Sequence, residues 1–304
     1  MQPDESGDRA RNLSGSALTE AVIASFSECG SDRLTQIAQS LVRHLHAFIA
    51  EVRLTEEEWS SGIDFLTRVG HMTTDQRQEF ILLSDVLGAS MQVIGVNHQQ
   101  SPGVTESTVF GPFFTEDSPP FTNGDDMANG APGEPCFMEG TVRSLDGAPV
   151  AGARIEVWQA DDHGRYDVQY DDMPGARGRG HLSTDDDGRY YFWSLRPTAY
   201  PIPDDGPVGE LLAVARRSPM RPAHVHFMIT APGYHLLITH VFAAGDPYLD
   251  TDAVFGVKSS LITRFAQHPA GVAPDGRQME SPFSTMRYDF TLAPIAASEA
   301  HRVG

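Results

Sequence analysis

Cysteine is almost absent from this 304-residue chain: Cys29 and Cys136 are the only two, far apart and without metal-type spacing. That excludes a disulfide framework and a thiolate metal cluster, and it fits a reducing compartment. No apolar run approaches the roughly 20 residues that a membrane-spanning helix needs. The opening residues, MQPDESGDRARN, have no apolar h-region, so the expectation is a soluble, cytoplasmic protein without a secretory signal. Basic residues are scarce as well: 22 Lys and Arg face 41 Asp and Glu, a formal charge of -19. Such a surface is a poor match for nucleic acid, because phosphate binding needs clustered Lys and Arg. No internal repeat is present. What remains, 40% hydrophobic and 21% charged, describes a globular protein able to bury a sizeable core in one large domain or two modest ones.

The composition changes along the chain. Residues 1–16 are polar and Gly/Ser-rich, which predicts a flexible tail. Leu34, Ile37, Leu41, Leu45, Phe48 and Val52 then recur at three- and four-residue intervals, the period of an amphipathic helix. Thr55 with Glu58 predicts a capping box ahead of Trp59, Ile63, Phe65 and Leu66, and Thr73 with Gln76 does the same for the run Phe80 to Ile94. A helical region over 17–105 follows. Beyond it, glycine, proline and β-formers become dense, predicting an all-β sandwich over 106–292 and a C-terminal tail over 293–304. Asp146-Gly147 predicts a hairpin between 136–143 and 153–158, and Asp187-Gly188 another between 182–184 and 190–193. Pro232-Gly233 predicts a third, between 223–230 and 235–242. A short helical pattern returns at Ser259 to Phe265, and Tyr288 to Leu292 reads as a closing strand. The fold class is α+β.

Chemistry concentrates in Arg221-Pro222-Ala223-His224-Val225-His226-Phe227. In a strand, side chains at i and i+2 share a face, so His224 and His226 can be held at metal-binding separation. The motif alone is a weak signal, met more often by two buried histidines bonded to backbone. Two tyrosines stand in unusual settings: Tyr200 in the proline-fenced Arg196-Pro197-Thr198-Ala199-Tyr200-Pro201-Ile202-Pro203, and Tyr166 just after a predicted strand in Gly164-Arg165-Tyr166. Taken singly, each reads as an ordinary half-buried tyrosine. As metal ligands they would be phenolates, which calls for a strongly Lewis-acidic ion such as ferric iron.

Together with Gly111-Pro112-Phe113-Phe114, Gly152-Ala153, Trp158-Gln159-Ala160 and Asp205-Gly206-Pro207-Val208-Gly209, these motifs resemble the intradiol ring-cleavage dioxygenases from about Leu34 to Asp289. The resemblance implies a helical N-terminal dimerisation region followed by a β-sandwich catalytic domain. It implies Tyr166, Tyr200, His224 and His226 as the ligands of a non-haem Fe(III), with Tyr200 also accepting a substrate proton and Arg221 stabilising anionic character. Tyr166-Asp167-Val168-Gln169, Thr108-Val109-Phe110-Gly111 and Asp252 to Lys258 are most similar to the branch acting on hydroxyquinol, with catechol or chlorocatechol as the alternative. On that basis Leu82, Asp85, Val109, Phe110, Gly111, Pro201, Arg221 and Val254 line the ring pocket. Asp85 there either accepts a hydrogen bond from the third ring hydroxyl or bonds backbone within its helix. His240 stands where catechol-type relatives tend to carry glutamine, as a support to the site or as core. The implied partners are a small aromatic diol or triol, O2 and a second copy of the chain, with a phospholipid at the dimer interface allowed. Two other readings share part of these observations: an Fe(II) or Zn(II) enzyme using His224 and His226 with a carboxylate, and a non-catalytic β-sandwich module that binds an aromatic ligand.

Overall fold

The computed structural model describes residues 11–74, 77–98, 102–170 and 175–295. Five helices come first: α1 (Gly15–Ser25), α2 (Asp32–Val52), α3 (Glu56–Met72), α4 (Glu79–Val86) and α5 (Ala89–Asn97). The helix α2 opens with the Ser31 hydroxyl accepting the Leu34 N–H and closes with Arg53 in the left-handed region. The capping box at α3 forms as expected: Glu58 N–H donates to Thr55 Oγ1 at 3.2 Å, and Thr55 N–H donates back to the Glu58 carboxylate at 2.9 Å. Gln76, the partner expected for Thr73, lies outside the described residues. The run Phe80 to Ile94 is two helices, because Gly88 adopts φ 71° between α4 and α5 and the chain bends there by 74°.

The described residues fall into two compact units that divide between Thr67 and Arg68. Within the first, α1 packs on α2, with Thr19 Oγ1 and His46 Nδ1 2.9 Å apart. Its periodic apolar residues, including Leu34, Leu41, Phe48, Trp59 and Ile63, form an exposed stripe.

In the second unit the strands begin with β1 (Pro135–Ser144), β2 (Arg154–Trp158), β3 (Arg179–Ser183) and β4 (Arg189–Leu195). Two short strands, β5 (Tyr200–Pro201) and β6 (Met220–Arg221), flank a further helix, α6 (Pro207–Val214). The longer β7 (His224–Thr230) and β8 (Leu237–Ala243) follow. The remaining strands are β9 (Ile262–Thr263), β10 (Phe265–His268), β11 (Gly271–Val272), β12 (Gln278–Met279), β13 (Phe283–Arg287) and β14 (Phe290–Leu292). One sheet surrounds β1, which pairs antiparallel with β4 and parallel with β13 and β14, while β10 pairs with β13. The other runs β3-β2-β7-β8-β9. Apolar side chains of both, among them Met138, Val142, Ile155, Val157, Phe192, Val225, Phe227, Val241 and Phe290, make one buried core.

Only the third expected hairpin exists: β7 and β8 pair antiparallel, His226 opposite His240. The other two are corrected. The Asp146-Gly147 turn does fold back, with Ser144 N–H donating to the Ala148 carbonyl, but β1 and β2 then belong to different sheets. The Asp187-Gly188 turn likewise separates β3, paired with β2, from β4, paired with β1. Turn chemistry is local, and in a sandwich the same tight turn also serves as a crossover between sheets. The expected helix at Ser259 to Phe265 is a single 3-10 turn, Ser259–Leu261, running into β9 and β10. Tyr288 to Leu292 contains β14 as expected.

Alternation along β7 decides where chemistry can occur. Val225, Phe227 and Ile229 enter the core between the sheets, so His224 and His226 face the other side. That side is covered by a second apolar cluster of Phe113, Trp158, Ala160, Tyr166 and Tyr200.

Candidate active site

Four polar atoms meet on the covered face of β7. Tyr166 and Tyr200 hydroxyls are 2.9 Å apart, Tyr200 Oη is 3.4 Å from His224 Nε2, His224 Nε2 is 3.2 Å from His226 Nε2, and His226 Nε2 is 2.9 Å from Tyr166 Oη. All four side chains are almost wholly buried. The strand β7 supplies the histidines as a rigid pair. His224 Nδ1 donates to the Pro222 carbonyl at 2.6 Å, which makes its Nε2 the acceptor nitrogen on the cluster side. Tyr200 comes from β5, whose partner in register is Arg221 on β6. Tyr166 comes from the loop after β2, where Gly164 (φ 74°) is required: a Cβ there would stand 2.6 Å from Tyr200 Cβ.

Burial keeps all four groups of this cluster neutral. Burial first, then the neighbouring Tyr200, pushes the Tyr166 phenol well above its ordinary value, and burial raises Tyr200 against the pull of Arg221. Burial, followed by His224, holds His226 well below its usual range, and burial followed by Arg221 lowers His224 to about 3. Two phenols and two imidazole lone pairs aimed at one another make a donor set for a hard, highly charged metal ion. His226 Nδ1 and His240 Nε2 are buried without a hydrogen-bond partner among the described residues, and His224, His226 and His240 can place ring nitrogens within 4.8 Å of one another. The residues present fit a bound metal.

This predicts acid sensitivity in the metal-free protein. With its value depressed from 6.5 to about 3, His224 stays neutral when folded and takes up a proton when unfolded. Stability is therefore fully present above pH 6.5 and falls as pH drops through the window down to about 3, by up to about 1.4 kcal/mol per pH unit for each such histidine. Melting temperatures of the metal-free protein, measured from neutral pH downward, should fall steadily; a flat profile would contradict the buried neutral state.

Arg221 is the cation at the cluster's edge. Its Nη1 donates to His224 Nε2 at 3.1 Å and its Nε to Asp252 Oδ1 at 3.1 Å, and its Nη2 lies 3.4 Å from His240 Nδ1. Burial alone would lower the guanidinium, but Asp252 and then Tyr200 raise it overall, so it remains charged. Asp252 is lowered despite burial because Arg221 faces it. Its carboxylate also accepts the Val254 and Gly256 N–H groups, at 3.3 and 2.9 Å, and so organises the turn that carries Val254.

Of the expected pocket residues, two share one cavity, whose lining does not include the four residues of the set. Leu82 on α4 and Pro201 on β5 line a cavity of about 720 Å³ together with Pro112, Phe113, Gly164 and Ile202. Gly111 (φ 78°) presses on His226, leaving 3.1 Å from a notional Cβ to His226 Cε1. Val109 and Val254 are buried, and Phe110 packs edge-on against Trp158, which stacks on His226 at 4.7 Å. Asp85 is buried on α4; desolvation raises its pKa, partly offset by a hydrogen bond from Ser90 and by Arg221. Sequence reasoning gives no role to Asp252, Trp158 or Arg179. Asp252 lies 31 residues from Arg221, and an arginine beside the histidines with no carboxylate near it in the chain is the one hint that a distant partner must exist.

Comparison with known proteins shows the family. Residues 109–294 match the family model described as "Dioxygenase", and residues 31–105 match "Catechol dioxygenase N terminus". The chain is 58% identical over 278 residues to the hydroxyquinol 1,2-dioxygenase of Nocardioides simplex, covering 91% of this chain and 94% of that protein. It is 58% identical over 254 residues to the 6-chlorohydroxyquinol 1,2-dioxygenase of Cupriavidus pinatubonensis, covering 84% of this chain and 92% of that one. The crystal structure of hydroxyquinol 1,2-dioxygenase from Pseudomonas putida DLL-E4 superposes with a TM-score of 0.85 at 47% identity, covering 92% of this chain and 98% of that chain. With both family models matched in order and a relative this similar along most of its length, the chain belongs to the intradiol ring-cleavage dioxygenases.

Proposed function

We propose that this protein is a non-haem Fe(III) enzyme that opens the ring of hydroxyquinol (1,2,4-trihydroxybenzene) with O2, giving 3-hydroxy-cis,cis-muconate and, by tautomerisation, maleylacetate. The observation that carries the reading is the closed, buried set of Tyr166, Tyr200, His224 and His226 with Arg221 against it. These four side chains would hold the iron. When bound, the ferric ion supplies Lewis-acid activation of the diol and a template for its meeting with O2.

The remaining work belongs to the chain. Two adjacent ring hydroxyls must lose protons, and Tyr200 Oη, on the Arg221 side of the set and a phenolate when it holds iron, would accept one. Arg221 is a fixed cation, kept charged by Asp252, that favours anionic character on the reacting ring and on the opened product. Trp158 stacks on the His226 ring and Gly111 approaches its Cε1, contacts that restrict the ring. Leu82, Val109, Phe110, Gly111, Pro201 and Val254 would supply the apolar contacts to the ring. Asp85, buried and already bonded by Ser90, would use its remaining carboxylate acceptor capacity for the third hydroxyl.

Iron-loaded protein should consume O2 with hydroxyquinol faster than with catechol, read on an oxygen electrode with both substrates side by side. Asp85→Ala should erase most of that preference, about a tenfold loss or more in the ratio of kcat/KM, as expected for one buried hydrogen bond. An unchanged ratio would remove Asp85 from substrate selection. The exposed stripe on α2 and α3 supports a homodimer built on the helical region, which sedimentation equilibrium would test.

A further inference from the structure

Behind Tyr166 lies a second buried ion pair that takes no part in the reaction described above. Arg179 on β3 directs Nε to both Asp167 carboxylate oxygens, at 3.1 and 3.0 Å, and Nη2 to Oδ1 at 2.7 Å. The same Nη2 donates to the Phe113 carbonyl at 2.7 Å, and Asp167 Oδ2 accepts the Arg177 N–H. Both side chains are more than nine-tenths buried. Asp167 adjoins Tyr166 in the chain, and the Phe113 ring stacks on the Tyr166 ring at 4.5 Å. One guanidinium thus grips the residue that follows Tyr166 and the residue that covers it.

The register of the sheet adds the second half. Arg179 pairs with Trp158, Trp158 with His226, and His226 with His240, so the four share one row and one face across β3, β2, β7 and β8. Trp158 stacks on His226 within that row. Tyr166 is the one member of the four-atom set carried by a loop, since Tyr200 sits in the β5–β6 pair and the histidines sit on β7. Side chains on loops are held less accurately than those on strands unless something outside the loop fixes them. A forked arginine–carboxylate pair fixes direction as well as distance.

We propose that the Asp167–Arg179 pair is a positioning element that locks loop-borne Tyr166 in register with strand-borne His226, and so sets how tightly the site keeps its iron. This rests on reading Tyr166 as an iron ligand. It differs from a purely stabilising role, because a stabilising pair can be replaced by a neutral pair of similar shape without cost to the metal.

The test uses iron-loaded wild-type protein, Tyr166→Phe, Asp167→Asn and the double variant Asp167→Asn/Arg179→Gln. Three quantities are measured: the rate of iron loss to a chelator, the position of the tyrosinate-to-iron charge-transfer band, and the melting temperature of the metal-free protein. Asp167→Asn and the double variant are expected to release iron about ten- to a hundredfold faster, with a displaced band. The double variant, which leaves no unpaired buried charge, should melt close to wild type and so separates metal holding from folding even where the single variant folds poorly. Wild-type iron retention and an unmoved band in the folded double variant would overturn the proposal. Wild-type retention in Tyr166→Phe, with its band unchanged, would instead overturn the ligand assignment beneath it.

Discussion

Tyr200→Phe should lower kcat/KM for hydroxyquinol by roughly a hundred- to ten-thousandfold, the range over which a positioned general base contributes. The substitution removes one oxygen from a wholly buried ring and leaves the ring's packing against Gly164 in place. The backbone is held by pairing with Arg221, so the fold and its melting temperature should change little. What disappears is the oxygen lying 2.9 Å from Tyr166 Oη and 3.4 Å from His224 Nε2, which is at once a proposed ligand and the proposed proton acceptor. The loss should appear in substrate binding as well as turnover, because the bound diol must shed two protons. Steady-state kinetics alongside iron content check this. Wild-type turnover in an iron-replete Tyr200→Phe protein would end the acceptor role.

The second large effect concerns a residue that the sequence places in a branch-like stretch but gives no role of its own. Asp252→Ala leaves Arg221 buried without its carboxylate and strips acceptors from the Val254 and Gly256 N–H groups. Removing one partner of a buried pair costs roughly 3–5 kcal/mol, about 10 °C in melting temperature for a protein of this size. Ring cleavage should fall too, since Arg221 would no longer be held against His224. Neutralising both members, as Asp252→Asn with Arg221→Met, should recover most of the stability and none of the activity. If Asp252→Ala alone melted like wild type, the pair would not be the anchor described here.

The motifs that suggest the site are legible in the amino-acid sequence. His224 and His226 share a face because a strand alternates, and the proline-fenced Tyr200 and the Gly164-x-Tyr166 turn stand out by residue type. The α+β order and the α3 capping box are equally plain, because both rest on short-range periodicity and cap chemistry. The two expected hairpins that do not form mark the limit of local reasoning. Asp-Gly specifies a turn, but whether the flanking strands pair or part to opposite sheets depends on which distant residues complete the core, such as β13 and β14 on β1. Asp252 and Arg179 escape a reading of the sequence for the same reason. A carboxylate 31 residues after Arg221 and an arginine 12 residues after Asp167 carry no spacing signal, and only the folded sheets bring each pair together. The period of the stripe at Leu34 to Val52 predicts a helix face, and the fold adds that this face remains exposed.

The central claim is that the Tyr166, Tyr200, His224 and His226 set makes this chain an intradiol dioxygenase for hydroxyquinol. It is tested most directly by mass spectrometry of the product formed from hydroxyquinol by the iron-loaded protein under labelled O2. The expected result is a ring-opened dicarboxylate carrying label from O2 in both new carboxyl groups, with one O2 consumed per ring. An unlabelled quinone, or an aldehyde from cleavage outside the two adjacent hydroxyls, would contradict it.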